Sequence, residues 1–442
     1  MIKLSKVFQT QSSKMRPTSV QAMTEKTTQS VDDRSWRRIL ADSATTWRKV
    51  STSLLTASAL VLTSTASFSA PDGQYRSQVR EKGNRTAGED VIQELETMLQ
   101  SNQLNSYQKA LTRRSLGQIC LSNEDYKCAL EYYEKLLAEG GLSEIAEQEV
   151  LFDVAQLYNQ EKRYDKVVEI LAPWMAKSTN PPPQGYIILG NAYFQLKEYT
   201  KALGFVEKAV SIAENPEENW MKLLLGLYYR TKKFKQASIL LEELVRRFPN
   251  DGFYWTTLSD IYLSRKDVMK AASVLEVAYK KNLLTDSRQF IKLAQLFAEA
   301  KEPYKGGLVL EKAMAEAKVR RSARNWELLS SFWLTAQEKD KAAQALEEAV
   351  AISQKSVLYF RLGQIYTQQR KWDKAEKSLV KAVERLPRNN LADGHYLLGQ
   401  AYYEQGKIQF ARQSFERSAA VAANPAAAKS WLDFIDSEEK IL

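Results

Sequence analysis

Histidine and cysteine are nearly missing from this 442-residue chain, which holds one His, His395, and two Cys, Cys120 and Cys128. A zinc site needs several such ligands converging, and a histidine-based triad would have to be built on His395 alone. No glycine-rich phosphate loop follows a strand pattern, and no nucleophile elbow occurs. The sequence therefore predicts no catalytic residue, no metal and no cofactor. Long apolar runs are also scarce: the mostly apolar stretch from Leu54 to Leu62 is too short to span a membrane permanently. A strong charge imbalance in the main body is absent too. The formal charge is +10, but residues 1–69 carry ten Lys/Arg against four Asp/Glu, and the remainder holds 53 basic and 49 acidic side chains. An interspersed surface of that kind is the solvated exterior of a helical protein, so nucleic acid is not an expected partner.

What the chain does have is repetition. The clearest copy runs Tyr359, Leu362-Gly363, Tyr366, Trp372, Ala375, Leu379, Ala382 and Pro387: a helix, a tight turn, a second helix and a stop. Counted at the small residue after the leucine, equivalents fall at Gly117, Ala155, Gly190, Leu225, Ser259, Ala294, Ser330, Gly363 and Gly399, at intervals of 33 to 38. A small residue is needed where paired helices cross closely. The second helices supply the matching seat at Ala129, Val167, Ala202, Ala237, Ala271, Gly306, Ala342, Ala375 and Ala411. Bulky residues three positions after the first seat (Tyr158, Tyr193, Tyr228, Tyr262, Phe297, Trp333, Tyr366 and Tyr402) plug the space between the helices, each burial stabilising by roughly 1.5 to 3 kcal/mol. Pro249 and Pro387 act as stops, since proline cannot continue a helix.

A period near 34 with this spacing resembles the tetratricopeptide repeat. The resemblance implies an all-α fold, a right-handed superhelical solenoid of about nine helical hairpins with a C-terminal capping helix. Repeats start near 110, 148, 183, 218, 252, 287, 323, 356 and 392, and the cap occupies 426–440, with Trp431, Leu432 and Ile435 on one face. The solenoid is expected over 87–442. Its leading helix, with Val91, Ile92, Leu95 and Leu99 at helical spacing, shields the first repeat.

The front of the chain reads differently. Residues 1–31 are polar without apolar periodicity and are expected to be disordered. Arg37, Arg38, Arg48 and Lys49 then precede the apolar stretch and the small residues Ala66, Ser67, Ser69 and Ala70, the three-part layout of a secretory signal peptide. Residues 1–69 are thus an N-terminal extension and signal, the mature chain starts near 67 or 70, and 70–86 are a linker. A transit peptide is the competing reading, which Asp32, Asp33 and Asp42 oppose. Export places the protein in the periplasm. Cys120 and Cys128 lie in one hairpin, and two readings stand: a disulfide, favoured in an oxidising space, or two unpaired thiols. His395 takes a seat that other repeats fill with Tyr186, Trp255, Phe290, Trp326 and Tyr359, and reads as a packing variant.

In this fold the first helices line a concave face. Positions one and four beyond the small seat give a partner-binding groove of Gln118, Gln156, Asn191, Phe194, Tyr229, Asp260, Gln295, Gln364, Gln400 and Tyr403. Side-chain amides donate and accept, so a row of them suits the main chain of an extended peptide. The alternative is a merely polar helix face. A carboxylate-gripping cluster is not expected, because Gly226 stands where its asparagine would be.

Particular strings, Trp220 to Ala237 (WMKLLLGLYYRTKKFKQA), Phe248 to Tyr262 (FPNDGFYWTTLSDIY), Val277 to Leu284, Pro303-Tyr304-Lys305 and Ser430 to Ile435 (SWLDFI), resemble the exported tetratricopeptide proteins found beside TonB, ExbB and ExbD in Gram-negative bacteria. That resemblance implies a non-enzymatic periplasmic scaffold, accessory to TonB-dependent uptake of iron complexes or similar nutrients, whose partners are components of that machinery. Two rivals are an adaptor for envelope assembly and a regulatory or targeting subunit of a cell-wall enzyme.

Overall fold

A computed structural model describes residues 89–101 and 103–439, together with Tyr75 and Val79. The signal-peptide reading of 1–69 lies outside the described residues, and so does most of the linker reading of 70–86. Within that stretch Tyr75 OH stands 2.7 Å from Thr112 Oγ1, and Val79 is buried, so at these two residues the chain packs instead of merely tethering.

Twenty helices and no strand occur among the described residues. They form two compact units, one reaching Leu240 and one beginning at Leu241.

The first unit opens with α1 (Glu89–Gln100), whose Leu95 packs on Leu116 and Ile119 of the next helix. Hairpins follow: α2 (Ser106–Ser122) with α3 (Tyr126–Glu139), α4 (Glu144–Gln160) with α5 (Tyr164–Lys177), α6 (Pro183–Gln195) with α7 (Tyr199–Ile212), and α8 (Glu218–Arg230) with the start of α9 (Phe234–Arg247). The second unit takes the rest of α9. It continues with α10 (Gly252–Ser264) and α11 (Val268–Lys280), α12 (Ser287–Glu299) and α13 (Pro303–Ala315), and α14 (Ala323–Thr335) and α15 (Lys339–Ser353). The pairs α16 (Ser356–Gln368) and α17 (Trp372–Val383), and α18 (Arg388–Glu404) and α19 (Ile408–Val421), precede the terminal α20 (Ala426–Glu439). Within each unit a first helix packs on its partner, and the partner packs on the first helix of the next hairpin.

The small seats explain the close pairing. A Cβ on Gly117, Gly190, Gly363 or Gly399 would come within 2.3 to 2.7 Å of Tyr133, Val206, Leu379 or Phe415, in each case sixteen residues on in the partner helix. Where the seat is serine, its hydroxyl uses the contact. Ser259 donates to the Ala271 carbonyl at 3.0 Å, and Ser330 to that of Ala342 at 2.8 Å.

Every first helix ends the same way. The residue two beyond the helix cap donates its N–H to the carbonyl of the plug position, as Arg163 does to Tyr158, Asp267 to Tyr262 and Lys371 to Tyr366. Between them sits a residue in the left-handed region, which is the Schellman closure. Glycine is favoured there. Only Gly406 obeys, while Glu124, Lys162, Lys197, Lys232, Lys266, Lys301, Gln337 and Arg370 hold the other eight seats at φ of 56 to 65°.

Cys120 and Cys128 are bonded across the first hairpin with Cα atoms 5.7 Å apart, inside the bridging range. At the other end Trp431 of α20 stacks on Phe415 at 5.3 Å, and Ile435 is buried beside them.

Candidate partner-binding face

The ten residues read as a groove divide between the units and are not equivalent. In the first unit Gln118 on α2 is half-buried, Gln156 on α4 is 4% exposed and Asn191 on α6 is 3% exposed. Asn191 donates through Nδ2 to Asn159 Oδ1 at 2.9 Å, joining two successive first helices, and Gln195 Nε2 reaches Asn191 Oδ1 at 3.5 Å. The amides of these neighbouring helices therefore do meet in a row. Gln156 Oε1 is shielded from solvent with no hydrogen-bond partner. A buried acceptor left without a donor costs about 1–3 kcal/mol.

Phe194 and Tyr229 make ring contacts within their own hairpins. The Phe194 ring centroid is 5.6 Å from that of Tyr199, and the Tyr229 centroid is 6.0 Å from that of Phe234, so both rings fold against the start of their own second helix at the hairpin turn. A residue four beyond the seat is in the last turn of its helix, where the tight closure brings the partner helix within ring contact.

In the second unit Asp260 on α10 is engaged by Lys292 Nζ of α12, so its carboxylate is a bridge between first helices. Gln295 and Gln364 are half-buried. Gln400 donates to the Tyr396 hydroxyl at 3.2 Å, which also accepts from Trp431 Nε1 at 3.2 Å. Tyr403 lies 5.0 Å from the Trp431 ring and 2.8 Å from Glu438, both on α20. Tyr403 therefore belongs to the seam under the terminal helix, because the last hairpin has no following repeat and α20 takes its place.

Sequence reasoning missed two sets of ties. First helices are bridged to the next by Arg114–Glu149 at 2.7 Å and by Glu327–Arg361, beside Asp260–Lys292. Plug tyrosines reach back to a glutamate on the preceding second helix: Tyr158 to Glu134, Tyr228 to Glu207, Tyr262 to Glu242 at 2.5 Å, and Tyr366 to Glu347. A signal for these does exist, since each glutamate lies five residues after the small seat of its helix. Burial, then the carboxylate beside them, pushes Tyr158 and Tyr262 up to about 12, so the phenols keep the protons they donate.

His395 is buried with Nδ1 unpartnered, and desolvation, with Arg417 adding to it, holds it below the ordinary histidine value. Among the described residues no three His, Cys, Asp or Glu side chains converge as a metal site would require. No described helix is long and apolar enough to cross a membrane.

Residues 183–216 and 356–424 match family models described as tetratricopeptide repeat, and those ranges are the hairpins α6/α7 and α16 to α19. These segments are tetratricopeptide repeats. No curated protein matches the chain. Solved structures that it resembles include MamA, 21% identical over 37% of this chain and 94% of that one, with a TM-score of 0.32. Another is YrrB, described as a TPR protein with an unusual peptide-binding site, 13% identical over 43% and 96%, with a TM-score of 0.35. A tetratricopeptide repeat protein from Parabacteroides merdae is 16% identical over 59% and 99%, with a TM-score of 0.34.

Proposed function

We propose that the protein is a non-enzymatic adaptor whose first-helix face holds an extended segment of a partner protein. The observation that carries this reading is the amide row on α4 and α6, where Asn159 and Asn191 bond to each other while Gln156 Oε1 stays without a donor. Side-chain amides both donate and accept, which suits them to the main chain of an extended peptide. Stacked hairpins give extended binding surfaces of this kind.

The finer reading places the protein in the periplasm as an accessory of TonB-dependent uptake, with TonB, ExbB or ExbD components as partners. It is supported by the strings Trp220 to Ala237 and Phe248 to Tyr262 and by the signal-like layout before Pro71. The test is site-specific photo-crosslinking in intact cells, with the probe placed at Gln118, Gln295 or Gln364 and, as a control, at the exposed Ser273 of α11. Adducts from the first-helix positions alone, containing TonB-system subunits, are the expected result. Equal labelling from Ser273 overturns the face, and adducts lacking those subunits overturn the partner.

A further inference from the structure

The turn edge of the first unit carries a feature that the amide row does not explain. Lys162, Lys197 and Lys232 close the turns of three successive hairpins at φ of 60, 65 and 58°. An L side chain reaches this region only against steric resistance, and Asn, Asp or Gly would take the seat more readily. The lysines are exposed, and none pairs with an acidic side chain among the described residues. Their neighbours Lys166, Lys201 and Lys233 are instead matched with Glu169, Glu198 and Glu207. The same backbone seat holds Lys266, Lys301 and Arg370 in the second unit. The C-terminal end of a helix favours a cation by about 0.3–1 kcal/mol, less than the roughly 1–2 kcal/mol that an L residue costs in the left-handed region, so folding alone does not account for a free lysine in three successive hairpins.

We infer that Lys162, Lys197 and Lys232 form a docking edge for an acidic, extended segment of a polypeptide. Successive first helices touch directly, since Asn191 reaches Asn159 at 2.9 Å, so their ends follow at one helix spacing of about 8–10 Å; an extended chain advances about 3.3 Å per residue, and a carboxylate at roughly every third residue meets one lysine per hairpin. Apolar contact is available alongside. Leu196 is 40% exposed next to Lys197, and Tyr199 lies under the Arg230 guanidinium at 5.6 Å. An anionic membrane fits less well, because the rings of Phe194 and Tyr199 are folded on each other instead of projecting.

The test uses the full chain and a fluorescent peptide of about twelve residues with glutamate at every third position, read by anisotropy at low and high salt. Expected are salt-sensitive binding, no competition by the glutamine version of the peptide, and a loss of about tenfold in the triple variant Lys162→Asn/Lys197→Asn/Lys232→Asn, from three exposed pairs of modest strength each. Asparagine accepts the left-handed region, so the urea midpoint of that variant should not fall. Should it fall, the triple Gln variant serves instead, as Gln337 already occupies such a seat. The triple Arg variant should retain binding. Unchanged affinity in a folded neutral variant, equal binding of the glutamine peptide, or lysine-dependent binding to phosphatidylserine vesicles but not to the peptide would each overturn the inference. Substituting Gln118 should leave the peptide affinity unchanged, which separates this edge from the amide face.

Discussion

One hairpin, α6 with α7, contains two glycines for which the same substitution should act in opposite directions. Gly204 is exposed on α7, and a Cβ built on it meets nothing within 4 Å. Replacing it with alanine removes the conformational penalty of glycine inside a helix, a gain of about 1 kcal/mol. Gly190 sits at the crossing, where a Cβ would lie 2.5 Å from Val206 Cγ2 and 3.4 Å from the Ala202 carbonyl oxygen. Carbon atoms settle at about 3.5–4.0 Å. Val206 is fully buried, and a valine on a helix has one strongly preferred rotamer, so it has no easy way to turn aside. Overpacking of this kind costs about 1–3 kcal/mol. After the propensity gain of about 1 kcal/mol, Gly190→Ala should end between neutral and about 2 kcal/mol destabilised. Urea unfolding of the full chain, followed by far-ultraviolet circular dichroism, compares the two midpoints. In a Val206→Ala background the crossing is relieved, and Gly190→Ala should then recover most of the gain. Equal stabilisation by Gly190→Ala and Gly204→Ala in the parent chain would refute the claim that the small seat exists to let the two helices touch.

Four further outcomes follow from contacts elsewhere in the hairpins. Tyr366→Phe should cost about 1 kcal/mol by removing the tie to Glu347, whereas Tyr193→Phe, whose equivalent partner position is Ala172, should cost less in the same urea measurement. The pH dependence of the tyrosine ties is alkaline: with Tyr158 and Tyr262 raised to about 12, their contribution is complete below the ordinary tyrosine value of about 10 and is lost as the pH climbs through 12. His395 acts at the opposite end. Its folded value is depressed, so the neutral ring contributes fully above about 6.5 and that contribution fades as the pH falls through the lowered value; His395→Phe should flatten the acid limb of the stability curve. Reducing the Cys120–Cys128 bond should weaken the first hairpin by about 2 kcal/mol, read as earlier hydrogen exchange in α2 and α3, with no change in Cys120→Ser/Cys128→Ser on adding reductant.

The hairpins were legible because their signals are local and redundant. Gly363, Tyr366, Ala375 and Leu379 each narrow the geometry of one crossing, and the terminal face of Trp431 and Ile435 is set by helical spacing. The binding face was less legible, for two physical reasons. The last turn of a first helix packs against the start of its own second helix as the hairpin closes, and Phe194 and Tyr229 make ring contacts there that the spacing does not reveal. Side-chain pairing between hairpins depends on rotamers that no spacing specifies. Spacing gives Asp260 only a groove position, and the structure adds that Lys292 of the next first helix reaches it.

The turn seats show what the repeat pattern leaves to other pressures. Placing an L residue in the left-handed region costs roughly 1–2 kcal/mol, and eight of the nine turns carry such a residue. A fold selected for stability alone would have glycine at most of them, as it has at Gly406. Part of the cost is offset because glycine loses more conformational freedom on folding than lysine does, and part by a cation that covers the plug ring, as Arg163 covers Tyr158 at 4.6 Å. Those offsets act at the residue following the strained seat, however, and leave the strained side chain itself pointing to water. Lys162, Lys197 and Lys232 therefore keep a side chain where the backbone favours glycine, and the helix-end field returns only about 0.3–1 kcal/mol of that cost, so the remainder is accounted for most directly by something outside the hairpin that the charge meets.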